Sequence, residues 1–226
     1  MSISVRSQFQ EMRIAFQKGL PSRFRFGEQG RRKYQRRFGG SLGPHCSEPT
    51  MINLPIPSLE GSCTDRLRFR KAREADAELW LEYINNAEAV RFMHLELTGI
   101  DAARQFIQWS FARYGRDGSG LHSLELLGTG EFVGLCGLLT QEVDGEMELE
   151  IGYHLLPNQW HKGFATEAAV FCKAFACEKA LAPSVISLID PDNLPSQRVA
   201  QRNGLQLERT TSFRGKPTRI YRASIG

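Results

Sequence analysis

Apolar positions along this chain recur every second residue in some stretches and every third or fourth in others, and the two rhythms alternate. Leu67 and Phe69, set among basic residues in Arg66–Arg70, predict a short strand. Ala77, Leu79, Trp80, Leu81 and Ile84 have helical spacing across Glu74–Asn86, with Asp76 near the start. Ala102, Phe106, Ile107, Trp109 and Phe111 repeat that spacing over Asp101–Tyr114, with Asp101 as the N-terminal cap. After a turn cluster at Gly115–Gly120, Leu121–Leu127 and Phe132–Leu139 read as strands joined in a hairpin by Gly128-Thr129-Gly130. Glu146–Leu156 is the next strand. Phe164–Ala180 is a helix with Ala168, Phe171, Cys172 and Phe175 on one face. Ser184–Ile189 is apolar and β-branched, the mark of a buried strand. Asn193–Asn203 is a short helix ended by Gly204, and Leu205–Phe213 and Pro217–Ile225 are final strands around Gly215. There is no internal repeat. The order β-α-α-β-β-β-α-β-α-β-β predicts the α/β class: a mixed sheet with helices on both faces.

Composition narrows the setting. A chain of 226 residues, 41% hydrophobic and 24% charged, suits a soluble domain with an appendage. No stretch approaches the roughly 20 apolar residues of a membrane-spanning helix, so no membrane partner is expected. The 5 cysteines are odd in number and lack CxxC spacing. That speaks against a disulfide framework or a metal site and predicts a cytoplasmic protein.

The net charge of +4 is unevenly placed. Residues 1–60 hold ten Lys/Arg against four Asp/Glu, whereas residues 61–226 hold nineteen against twenty-one. Residues 1–60 therefore read as a basic, mostly disordered extension and 61–226 as the folded domain. Arg23-Phe24-Arg25-Phe26 and Arg31-Arg32-Lys33-Tyr34-Gln35-Arg36-Arg37 interleave basic and aromatic residues. Four readings stay open for this front segment: a nucleic-acid arm, a transit peptide, a disordered tail, or residues ahead of a true start at Met51. The acidic balance of the body makes nucleic acid an unlikely partner.

The run Glu148–Ala168 carries the chemistry. It reads as a strand stopping at Pro157, a polar turn, and a helix opening with Lys162-Gly163-Phe164-Ala165-Thr166. Unpaired N–H groups at such a helix start bind anions, helped by about half a positive charge from the macrodipole. Gly163 permits close backbone approach, Ala165 keeps the first turn thin, and Thr166 offers a hydroxyl. Lys162 reads equally as a phosphate partner or a solvated lysine. Glu167 opposes an anion and reads better as an internal capping partner. A strand feeding that site can hold an acyl group beside a bound diphosphate. No Gly-rich dinucleotide or P-loop pattern, HExxH or GxSxG is present, and His94, His122 and His154 are scattered.

These stretches resemble the GNAT acyltransferase superfamily, in its ribosomal-protein N-acetyltransferase-like branch, over about residues 62–223. Thr64–Arg70 looks like that branch's opening strand. Glu150–Leu155 with Trp160–Ala168 is similar to its strand and acetyl-CoA pyrophosphate loop. Asn193–Leu205 looks like its later helix beside the pantetheine. The resemblance implies a mostly antiparallel sheet with a splayed pair of parallel strands, here the one ending near Pro157 and 184–189, and a V-shaped slot between them. It also implies an N-acetyltransferase using acetyl-CoA as co-substrate, active as a monomer or homodimer. His161, Lys162, Gly163, Phe164, Ala165 and Thr166 would hold the pyrophosphate and Asn193 the pantetheine. The backbone of His154, Leu155 and Leu156 would polarise the thioester. The chain departs from the pattern at Trp160, where Gln or Arg is usual, and at His161, where the branch often has Gly. No Tyr lies between Asn193 and Gly204, so the usual acid is not assignable there.

Glu150 is the candidate base and Ser196 the candidate partner for the leaving thiolate. Glu146, Glu148 and Glu150 alternate on one face, as a solvated strand would also show. The acceptor amine is expected past helices 74–86 and 99–114. Two rivals remain: a catalytically silent acyl-CoA-binding module, and a nucleic-acid-associated protein acting through its basic arm.

Overall fold

The computed structural model describes residues 51–93 and 98–226; the basic segment at 1–50 and His94 lie outside the described residues. The elements are β1 (Leu67–Lys71), α1 (Asp76–Ile84), α2 (Ala87–Val90), α3 (Gly99–Arg116), β2 (Gly120–Leu126), β3 (Phe132–Val143), β4 (Glu146–Leu155), α4 (Phe164–Glu178), β5 (Ser184–Ile189), α5 (Leu194–Arg202), β6 (Gln206–Phe213) and β7 (Lys216–Ser224). They form one seven-stranded sheet in the order β1-β2-β3-β4-β5-β7-β6. Every neighbouring pair is antiparallel except β4 and β5, which run parallel and pair only at Glu150↔Ile186.

Side chains alternate across the strands and so supply two cores. On one face Leu149, Ile151 and Leu155 of β4 pack with Phe164, Ala168 and Cys172 of α4. On the other, Leu121, Leu135 and Leu139 pack against Trp80 and Tyr83 of α1 and Ile107 of α3. Ile56 and Leu59 belong to the α4-side core, so packing begins ahead of residue 61. The end of α5 is joined to the first half of α4: Asn203 Nδ2 donates to Ala169 O at 3.1 Å, and Lys173 Nζ donates to Asn203 O.

Several boundaries differ from the sequence reading. The helix expected over Glu74–Asn86 stops at Ile84, because Asn86 turns aside to accept from Ala89 N–H at 2.9 Å and cap α2. α3 begins at Gly99 after Thr98, so Asp101 sits in its first turn and pairs with Arg104 rather than capping. β3 runs on to Val143, since Asp144 and Gly145, both at positive φ, close a tight two-residue hairpin with β4.

Two ion pairs brace the sheet. Arg70 grips Asp76 through both oxygens, at 2.7 and 2.8 Å, and holds Glu125 with Nε, fixing α1 to β1. Glu148 is buried and paired at both oxygens, 2.6 and 3.0 Å, with Arg222 of β7, reaching across β5. Glu148 is thus no solvated strand residue.

Burial pushes the Asp76 carboxyl up, but Arg70, Ser123 and the Arg73 N–H outweigh it and hold it below its usual range. Its stabilisation is full above the ordinary carboxylate pKa of about 3.9 and is lost as pH falls through the lower folded value. Asp76→Ala should destabilise the fold by about 3–5 kcal/mol near neutral pH in urea melts. The gap between variant and wild type should narrow in strong acid.

Candidate active site

The segment after β4 is shaped by its backbone. A short 3-10 turn at Pro157–Gln159 ends at Trp160, whose indole Nε1 donates to Leu155 O at 2.8 Å and ties the loop to the strand. His161 (φ 61°) and Gly163 (φ 84°) are left-handed, and α4 starts directly after Gly163 with no side-chain cap. The first bond of the helix runs from Glu167 N–H to Gly163 O at 3.0 Å. The N–H groups of Phe164, Ala165 and Thr166 come before it and have no partner within the helix. A methyl on Gly163 would meet only Arg66 Nη2, at 3.4 Å, so the backbone stands bare. This bare, uncapped start fits a diphosphate. His161, Lys162 and Gly163 are exposed, Ala165 and Thr166 half-buried, and Phe164 is buried as the anchor.

Arg66 organises this loop from the entry to β1. Its Nε and Nη2 hold Glu167 at 2.7 and 2.6 Å, its Nη1 donates to Lys162 O at 3.0 Å, and its guanidinium lies 4.5 Å from the Phe164 ring centre. Glu167 also accepts from Arg66 N–H at 2.9 Å and from Thr64 Oγ1 at 2.5 Å. Burial pushes its carboxyl up, and these donors hold it below the usual range. Glu167 therefore caps the start of β1, not its own helix. Its charge is matched by Arg66 and no longer opposes an anion. Lys162 Nζ donates to Gln159 Oε1 at 3.0 Å, while Gln159 Nε2 donates to Glu131.

Beyond Glu150 the β4 edge facing β5 is open. Leu156 N–H donates to Val133 O at 3.0 Å, and Ile151 O, on the opposite edge, accepts from Ser187 Oγ at 3.1 Å. Backbone groups alternate edges along a strand. His154 and Leu156 N–H thus point to β3, whereas Tyr153 and Leu155 N–H point into the gap. Across it, Asn193 Oδ1 accepts from Ser196 N–H at 3.1 Å and caps α5. Tyr153 Oη donates to Ser196 O at 2.9 Å, so a tyrosine reaches α5 from the strand. Burial pushes its phenol up, keeping it protonated. Sequence reading looked for a tyrosine on the helix and missed this one.

Glu150 sits at the fork, half-buried, on the face shared with α1 and α3. Burial pushes its carboxyl above the usual range, against donors from Gln141 and Leu188 N–H and the guanidiniums of Arg113 and Arg214. On the same face, His154 has Trp80, Tyr83 and Phe106 edge-on around its ring. Tyr83 Oη gives its proton to Ala89 O at 2.9 Å, so at 3.3 Å it accepts from His154 Nδ1. Burial pushes the imidazole down to about 4, leaving it neutral.

The pattern of the family described as "Acetyltransferase (GNAT) domain" matches residues 66–206. Among curated relatives, the Bacillus subtilis protein YkkB is 30% identical over 158 residues, 70% of this chain and 92% of its own. The uncharacterised N-acetyltransferase YoaA of the same organism is 30% identical over 157 residues, 68% and 85% of the two chains. A GNAT-family acetyltransferase structure from Bacillus anthracis aligns with a TM-score of 0.60 at 21% identity, covering 72% of this chain and 96% of that one. The microcin C7 self-immunity acetyltransferase MccE, solved with acetyl-CoA and AMP, gives 0.60 at 17% identity over 76% and 99%. These structures share the fold.

Gly163→Asp places a carboxylate against the open N–H groups. Calorimetry should show coenzyme A binding lost, with the thermal midpoint lowered only by the strain of a side chain on this left-handed backbone.

Proposed function

The chain belongs to the GNAT acetyltransferase family, and on that footing we propose that it transfers an acetyl group from acetyl-CoA to a primary amine by direct attack. The acceptor is a protein N-terminus or a small-molecule amine. One observation carries the reading: β4 and β5 share a single pair at Glu150↔Ile186 and part towards the uncapped start of α4. The finer placement, beside the ribosomal-protein N-acetyltransferases, rests on Thr64–Arg70 and goes with a folded unit running to the C-terminus behind a basic extension.

In this reading the N–H groups of Phe164, Ala165 and Thr166 hold the diphosphate, with His161, Lys162 and the Thr166 hydroxyl beside them. Asn193 and the open edge of β4 line the pantetheine. Bound acetyl-CoA supplies the thioester. The N–H groups of Leu155 and Tyr153 are the donors placed to polarise its carbonyl; the sequence reading named the run His154–Leu156, of which Leu155 faces the gap. Donors fixed where charge develops are the usual source of acyl-transfer catalysis.

Glu150 receives the proton that the amine loses as the C–N bond forms, through a water. Burial raises its carboxyl above the usual range, the direction that suits a base. An α-amine (pKa about 7.7–8.0) needs far less deprotonation at neutral pH than a lysine (about 10.4), and the acceptor class follows that difference. A thiol loses its proton near pH 8.5, so the departing thiolate needs only the hydroxyls of Ser196 and Tyr153 close by.

Thiol release with a panel of peptides bearing free α-amines, polyamines and arylalkylamines tests the activity. Turnover with no member, alongside tight acetyl-CoA binding, would favour a silent binding module. Glu150→Gln should lower kcat by about 10²- to 10⁴-fold with coenzyme A affinity unchanged. Full turnover in that variant would remove Glu150 from the mechanism.

A further inference from the structure

The side chain of Gln141 lies between Glu150 and two arginines that neither the loop nor the slot uses. Its Nε2 donates to Glu150 Oε2 at 2.7 Å. Its Oε1 accepts from Arg113 Nη2 at 3.3 Å and Arg214 Nη2 at 3.4 Å. Guanidiniums only donate, so the amide oxygen must face them. The NH2 group is then turned to the carboxylate, and a flipped amide would set donors against donors.

Arg113 is buried in α3. It is pinned by Thr140 O at 2.9 Å and stacked on Trp109 with its guanidinium 4.1 Å from the ring centre. Arg214 is exposed and comes from the two-residue turn between β6 and β7, at the other end of the sheet order. That turn has positive φ at both residues, 52° at Arg214 and 78° at Gly215. The matching β3–β4 turn uses Asp144 and Gly145, the residue types such turns prefer. Arginine has no preference for a left-handed backbone. Its presence there is explained by what its side chain reaches.

We propose that Gln141 is a positioning residue for Glu150, its amide locked by Arg113 from α3 and Arg214 from the β6–β7 turn. The proposal rests on Glu150 being the base. Among the described residues, nearby charged groups on the same elements are paired with other partners. Arg116 and Asp117 pair with each other behind Arg113, at 2.7 Å. Glu148, on the same strand, is neutralised by Arg222. Tyr153 lies on the opposite face of the sheet, and His154 is neutral. Donors and positive charge beside a carboxylate favour its ionised form. The lock thus works against the burial that raises Glu150 and favours its ionised form.

The test titrates Glu150 directly in the full chain by its side-chain carboxyl 13C resonance, identified by its absence in Glu150→Gln. Gln141→Met removes the donor at similar volume, and Arg214→Asn removes the charge while placing in the turn a residue that favours its backbone. Both should raise the Glu150 midpoint by about one unit, and Arg214→Asn should not lower the thermal midpoint. The acid limb of kcat/KM for the best amine in the panel should move up with it. An unmoved midpoint in both variants overturns the lock. A moved midpoint with an unmoved acid limb leaves the lock standing and removes Glu150 as base.

Discussion

The architecture turns on a parting in its own sheet. β4 and β5 are central strands, yet they share one pair, Glu150↔Ile186. Past that pair, backbone groups that a continuous sheet would satisfy are left facing a gap. Buried peptide groups without partners are unfavourable, so such an opening is maintained only if the two halves are held apart and something completes them. The closed end is held firmly. There the Glu148–Arg222 ion pair spans β5 entirely. Past the pair the ties run through side chains: Ser187 Oγ on Ile151 O, Leu188 N–H on the Glu150 carboxyl, and Tyr153 Oη on Ser196 O. The proposed thioester site lies between these restraints.

The loop below the gap solves a second problem. A helix start is attractive to anions, yet Glu167 stands in the first turn of α4. Arg66 removes the conflict by pairing with that carboxylate while also holding Lys162 O and covering Phe164. One residue at the entry to β1 thus sets the charge, the height and the floor of the loop. The opening strand is placed at the sheet edge by Arg70 and Asp76, so the ion pair bracing α1 also fixes where Arg66 stands.

Much of this was legible in the sequence, and the residues show why. The two periodicities gave the order of elements except for the one-turn α2 at Ala87–Val90, which is too short to show a period. The loop His161–Thr166 was legible because its geometry is local. Element ends were less so, since Asn86 and Thr98 compete with nearby Asp and Asn residues that look equally suited to capping. Pairs far apart in the chain were invisible. Glu148 looked like a solvated strand residue because Arg222 is 74 positions away. Tyr153 looked like an ordinary strand residue because Ser196 is 43 away. Arg113 drew no reading at all, because what buries it and pushes it down to about 10 includes Thr140 of β3, 27 positions away.

The link between α4 and α5, made by Asn203 and Lys173, joins two helices whose starts are proposed to meet opposite ends of one ligand. Since the C-terminal end of α5 is fastened to the first half of α4, at Ala169 and Lys173, the distance between the two starts is fixed and the helices act as the arms of a caliper set to one opening. Such a device measures length. On the proposed placement of the ligand, a thioester on a carrier shorter than pantetheine would not touch both arms together, and selectivity for the carrier would lie in the spacing of the helices, independent of the acyl group it brings.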